Sequence, residues 1–263
     1  MKRILGRVVV VCATACALGV LTPACVENDQ SIFVRAILAP STNRQNGACV
    51  YTDDPQQTQL FYGTLDVAIR SNYRAVVLVG SQMLQRGDSL NTRAEPNRVH
   101  LNGAVVRVTD PNGAQIAEFT SPASGFADIQ QNNNPDYGTM SIVGIDQPTA
   151  EALKAQLPPL TPGQPGLRNT TKQIILQIKA FGKTLGGVDL ESSEFQFPLD
   201  VCNGCSVDFS TRDLALPLAD QCKGTATTGA GASTSPPCNA GQDGEAVPCQ
   251  SCQGLEACDP ARL

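Results

Sequence analysis

Apolar residues recur at every second position in several short stretches of this chain, and that spacing predicts β-strands with one buried face. In EFQFPLDV (194–201), Phe195, Phe197, Leu199 and Val201 share one face, and Glu194, Gln196, Pro198 and Asp200 the other. TLDVAIR (64–70) turns Leu65, Val67 and Ile69 inward and Thr64, Asp66 and Arg70 outward. YRAVVLVG (73–80) is apolar on both faces, as a central strand is, and Ser71-Asn72 before it predicts a hairpin with 64–70. SIFVRAIL (31–38) reads as the first strand. TKQIILQIKAF (171–181) also fits a helical face, but its β-branched content favours a strand. Pro198 cannot donate to a ladder, which places its strand at a sheet edge or a bulge. The one convincing helix is QPTAEALKAQL (147–157), with Asp146 or Thr149 as cap and Pro158-Pro159 to end it.

In LNGAVVRVTDPNGAQIAEFTSPASGFADIQ (101–130), Pro111-Asn112-Gly113 offers a positive φ to a tight turn between two alternating strands. Gly103-Ala104, Val106, Val108, Asp110, Gly113, Thr120, Gly125 and Phe126 fall on the strand, D-x-x-G turn, second strand and "G-x-a" third strand of a known module. The block resembles carboxypeptidase-regulatory-like, prealbumin-type and bacterial Ig-like sandwiches. With the strand spacing, the resemblance implies a mainly β protein: an Ig-like antiparallel β-sandwich with one short helix and a disulfide-rich C-terminal tail.

Lys2, Arg3 and Arg7 precede an apolar run, VVVVCATACALGVL (8–21), too short for a stable bilayer span. This is the form of a signal peptide, expected over residues 1–24, with small residues Thr22 and Ala24 before Cys25. The stretch LTPAC (21–25) resembles the lipobox of bacterial lipoproteins, which implies that Cys25 is acylated and becomes the new N-terminus. Two or more acyl chains suffice for stable anchoring. In that family the residue after the cysteine directs sorting, and Val26 in place of Asp implies the outer membrane. A periplasmic or secreted protein is the alternative.

Cysteine parity supports lipidation from a different direction. Of 11 cysteines, Cys12 and Cys16 leave with the signal. If Cys25 is acylated, the remaining eight (Cys49, Cys202, Cys205, Cys222, Cys238, Cys249, Cys252 and Cys258) can all pair as disulfides. Seven of them lie between 202 and 258, so one bridge must cross from Cys49 to the end of the chain. Cys202, Cys205 or Cys222, next to the last sandwich strand, are its expected partners, leaving Cys238 to Cys258 to close local loops. The organisation expected is a β-sandwich domain with a short N-terminal tether over 25–212. A cysteine-rich, partly low-complexity tail then covers 213–263, with too few apolar residues for a core of its own.

Removing residues 1–24 takes away three positive charges and no negative ones, which moves the net charge from −5 to −8 and argues against nucleic acid as a partner. Cys202/Cys205 and Cys249/Cys252 could be halves of a zinc site, but 43 residues separate them and an exported chain favours disulfides. Neither pair sits at a helix N-terminus after a strand, as a thioredoxin-like site requires. His100, the only histidine, has no nucleophile motif nearby and reads as a surface side chain. Asp53/Asp54 and Glu191/Glu194 are the carboxylate pairs from which a hydrolase would have to be built. Arg86-Gly87-Asp88-Ser89 reads as a polar turn, and Asn169-Thr170-Thr171 as a coincidental sequon. The reading that follows is a non-catalytic envelope lipoprotein, a structural or binding module. It is held to the membrane by its lipid, has an envelope protein or polysaccharide as candidate partner, and needs no cofactor or metal. A carboxylate-based hydrolase and a thiol-disulfide redox protein are the alternatives.

Overall fold

The computed structural model describes residues 31–41, 48–87, 94–130, 134–158, 170–210, 212–223 and 238–260. Cys25 and the signal segment, Asp88-Ser89 and Asn169 lie outside them. The described residues form a mainly β protein, a sandwich of two sheets with one short α-helix.

The strands are β1 (Ile32–Leu38), β2 (Gln59–Leu60), β3 (Gly63–Asp66), β4 (Tyr73–Ser81), β5 (Val99–Thr109), β6 (Gln115–Ala127), β7 (Asp136–Ile145), β8 (Thr171–Thr184), β9 (Asp189–Glu191), β10 (Phe195–Cys202), β11 (Val207–Asp208) and β12 (Val247–Pro248). One sheet has the order β2-β1-β4-β7; the six-stranded sheet runs β3-β10-β8-β5-β6, with β9 also on β8. β11 and β12 form a separate parallel pair in the tail. Inward residues alternate as the pattern predicts: Val77, Val79, Met140 and Ile142 from one sheet meet Val106, Val108, Leu176, Ile178, Phe197 and Leu199 from the other, all buried. Tyr73 and Phe197 stack across the core with ring centroids 6.3 Å apart. Ile69 and Phe195 are only partly buried, and Ile69 packs against the tail.

The β5–β6 hairpin closes at the expected turn. Asp110 Oδ1 accepts from Asn112 N and Ala114 N, Gly113 has φ 87°, and the Ala114 N–H foremost holds the Asp110 carboxyl below its ordinary value. Gly125 and Phe126 do not start a third strand, because β6 runs on through a bulge opposite Leu101 and Gly103. Its far half lies against β7, where Ser121 Oγ accepts from Val143 N at 2.8 Å. The helix, α1 (Gln147–Lys154), is capped by Asp146, whose side chain accepts from Thr149 N, and buries Ala150 and Leu153.

The expected 64–80 hairpin is not formed. β3 ends at Asp66, residues 67–69 turn, and β4 enters the other sheet, while β3 pairs in parallel with β10 from Leu199↔Gly63 to Cys202↔Asp66. Among the described residues Phe195–Pro198 therefore have no strand partner on the side away from β8, an edge position that tolerates Pro198. Gly63 is required by packing: a Cβ there would lie 2.6 Å from the Tyr73 hydroxyl and 2.7 Å from Leu199 Cδ1.

Phe197 is 1% exposed. Phe197→Ala is expected to cost about 3–5 kcal/mol in chemical denaturation, and Phe195→Ala, at the half-open edge, clearly less. Equal losses at the two positions would contradict this placement of the core.

Candidate functional site

Among the described residues, several buried polar side chains collect where the tail folds back onto β3. Three observations define the place.

The first is Asp66. Alternation predicts it outward, yet it is fully buried. Because β3 stops at this residue, its carboxylate faces two turns instead of solvent. Oδ1 accepts from Ala68 N at 3.0 Å and Gly204 N at 2.7 Å, and Oδ2 from Ser206 N at 2.8 Å. A buried carboxylate needs donors of this kind. It fastens the turn after β3 to the loop after β10, the CNGC segment, where the Cys202–Cys205 disulfide forms and Gly204 has φ 83°. Asp66 and the two sulfurs lie within 4.8 Å of one another.

The second is the docking of the tail. Gln242 bridges Leu65 in an antiparallel pair, Asp66 N donates to Gly241 O at 2.8 Å, and Asp243 N to Thr64 O at 2.9 Å. The Gln242 side chain acts like a short piece of strand: Oε1 accepts from Arg74 N at 3.0 Å and Nε2 donates to Arg74 O at 2.6 Å. It satisfies the β4 backbone beyond Ile37↔Val77, where pairing with β1 ends. Cys49–Cys238 clamps this docking, and Asn239 Nδ2 donates to the Tyr51 hydroxyl at 3.1 Å. The crossing bridge is thus formed, but to Cys238 and not to Cys202, Cys205 or Cys222. Cys202 and Cys205 pair with each other, Cys222 with Cys249, and Cys252 with Cys258. Proximity in sequence to the last strand misleads here, because Cys238 leads straight into the segment that docks on β3. The two Cys-x-x-Cys pairs are not halves of one metal site, since Cys249 and Cys252 are bonded elsewhere.

The third is Asp243, in the left-handed region at φ 56°. Its Oδ1 accepts from the Tyr73 hydroxyl at 2.9 Å and Oδ2 from Gln242 Nε2 at 2.8 Å. Burial raises its pKa, and the bonds from Gln242, Tyr73 and Thr64 offset this only in part. Tyr73 is pushed well up by burial and by the Asp243 carboxylate beside it, so its hydroxyl stays a donor. Asp243 and Gly244 form one wall of a groove of about 230 Å³ whose other wall is Gln59, Leu60, Phe61, Tyr62 and Thr64. Phe61 is 84% and Tyr62 65% exposed, an unusual display for a chain with 5% aromatics.

The carboxylates considered for hydrolysis are placed otherwise. Glu191 pairs with Lys179 at 2.6 Å and Glu194 with Arg107 at 3.3 Å; both carboxylates line a shallow depression of about 200 Å³ on the solvent face of the six-stranded sheet, each neutralised by its basic partner. Asp54 Oδ1 accepts from Gln56 N in an exposed turn. His100 lies against the Phe126 ring, centroids 4.8 Å apart, on the surface. Arg86 N and Gly87 N both donate to Glu95 Oε2. Asp66, Gln242 and Asp243 escape sequence reasoning. The only signal at hand, the polar residue interrupting Leu65-Asp66-Val67, is also what any half-exposed strand shows. No family model matches the chain, and no curated protein matches it.

Asp243 has a raised pKa in the folded protein, so its contribution to stability is fully present below its unfolded value and is lost as pH rises through the folded one. An NMR titration of its side-chain carboxyl carbon should have a midpoint above the ordinary 3.8. Stability relative to Asp243→Asn should fall over the same window. A midpoint below 3.8, or relative stability that rises there, would contradict the buried placement.

Proposed function

We propose that this chain is an exported lipoprotein, anchored through acylated Cys25 to the outer membrane, that works as a non-catalytic binding module of the cell envelope. One observation carries the reading. The four bridges use all eight cysteines that follow Cys25, so none of these eight is left to pair with it. Four disulfides agree with folding in an oxidising compartment outside the cytoplasm, and a thiol acylated at the N-terminus accounts for the odd cysteine. The likeness of the β5–β6 hairpin to the first two strands of Ig-like and prealbumin-type modules points the same way, as does the pairing of Glu191 and Glu194 with Lys179 and Arg107. For a partner, the module offers the groove at Phe61 and Tyr62, whose exposed rings suit contact with an envelope protein or polysaccharide.

Cys25→Ser is expected to move the protein from the membrane fraction to the soluble periplasmic or secreted fraction, with its thermal transition unchanged within about 1 °C. The intact mass of the native protein should exceed that of the cleaved chain by the acyl groups. A serine variant that still sediments wholly with membranes, or a native protein without added mass, would overturn the reading.

A further inference from the structure

The four bridges are not equivalent. Cys222, Cys249, Cys252 and Cys258 are buried, and although Cys222 and Cys258 border a cavity in the tail, their bridges each pair one such residue with another buried one, Cys249 or Cys252. Cys49 and Cys238 are partly exposed, but their bridge spans 189 positions, and the entropy of a loop that long favours closure strongly. Cys202–Cys205 combines a sequence separation of 3, where closure contributes least, with a partly exposed Cys205 and a fully buried Cys202.

Bonds other than the sulfur–sulfur bond also hold the loop around it. Asp66 holds Gly204 N and Ser206 N, Val67 N donates to Cys202 O at 2.9 Å, and Cys202 is the last rung of the β8–β10 ladder. With the bridge open, the two sulfurs would therefore stay beside the Asp66 carboxylate, with all three ligand atoms still neighbours. Two thiolates and one carboxylate are a soft-to-borderline donor set that suits tetrahedral zinc, with a fourth position left for water. A tetrahedral ion with bonds of about 2.3 Å to sulfur needs the sulfurs roughly 3.8 Å apart, which side-chain rotation alone provides once the bond is broken. A second observation marks the same loop as incomplete: Asn203 is 7% exposed, and its Oδ1 has no hydrogen-bond partner among the described residues, although its Nδ2 donates to Pro158 O at 3.1 Å.

We propose that Cys202, Cys205 and Asp66 form a redox-gated site for a thiophilic divalent cation, closed when the cysteines are bridged and open when they are reduced. A small dithiol reductant attacks the sulfur of the partly exposed Cys205, Cys202 leaves as thiolate and takes up a proton, and the mixed disulfide is resolved by the reductant's second thiol. The reductant becomes a disulfide, and the protein gains two electrons and two protons. Binding of the cation then releases both thiol protons to water, while Asp66 supplies the third ligand from a position fixed by its backbone donors. The site is independent of membrane anchoring, so its failure leaves the lipoprotein reading untouched.

The test uses the mature full-length protein. Graded reduction by a dithiol, followed by alkylation and peptide mapping, should open Cys202–Cys205 at least tenfold more readily than the other three bridges. Protein reduced at this bridge alone, freed of reductant, should bind one equivalent of Co²⁺ with thiolate-to-cobalt charge-transfer absorption, and Zn²⁺ should displace it. The oxidised protein and a Cys202→Ser/Cys205→Ser variant should show none. X-ray absorption of the Co²⁺-loaded native protein should give two sulfur and two light-atom ligands, a readout that does not depend on any variant folding. Asp66→Asn, where it folds, should bind at least tenfold more weakly. If another bridge opens first, if the reduced protein shows no charge-transfer band, or if Asp66→Asn binds as the native protein does, the proposal is overturned.

Discussion

The structure depends most on a single side chain, that of Gln242. Its backbone bridges Leu65 in the six-stranded sheet while its amide serves both the N–H and the carbonyl of Arg74 in the four-stranded sheet. One residue of the tail thus joins the two layers beside the turn by which the chain passes from β3 to β4. β3 is only four residues long and pairs with a single strand, so its other edge would stand open without the tail. The Tyr73 hydroxyl would likewise lose Asp243 as its acceptor at the base of the core. Cys49–Cys238 holds this docking in place, with a loop-closure contribution of roughly 5 kcal/mol on chain-entropy grounds.

Much of the sandwich is legible in the sequence because burial on one face forces a period of two. β10 shows it plainly, and β8 and β5 show it over longer runs. The helix and its Asp146 cap are legible for an equally local reason. Alternation states which face a residue takes but not where a strand stops. Asp66 therefore reads as outward although the chain turns immediately after it, and Ser71-Asn72 reads as a hairpin turn although it leads into the other sheet. The tail is harder still. Parity of cysteines demands a crossing bridge, but its partner is set by Gln242 and Asp243 in a glycine-rich polar segment that carries no periodic signal.

The same end of the molecule gathers the features that bear on function. The exposed pair Phe61-Tyr62 adjoins Asp243, and Asp66 binds the Cys202–Cys205 loop on the far side of β3. Both places rest on a carboxylate, the half-buried Asp243 beside the groove and the buried Asp66 beside the cysteine loop, each held by several donors that give rigid support to the segment around it. The Cys49–Cys238 bridge staples the loop after β1 to the docked tail at this end of the sandwich.

The claim that the tail completes the sandwich is tested most directly by peptide mapping of the protein under non-reducing conditions. The account predicts one linked fragment containing Cys49 and Cys238. Cys49 recovered as a free thiol, or bonded to any other cysteine, would contradict it.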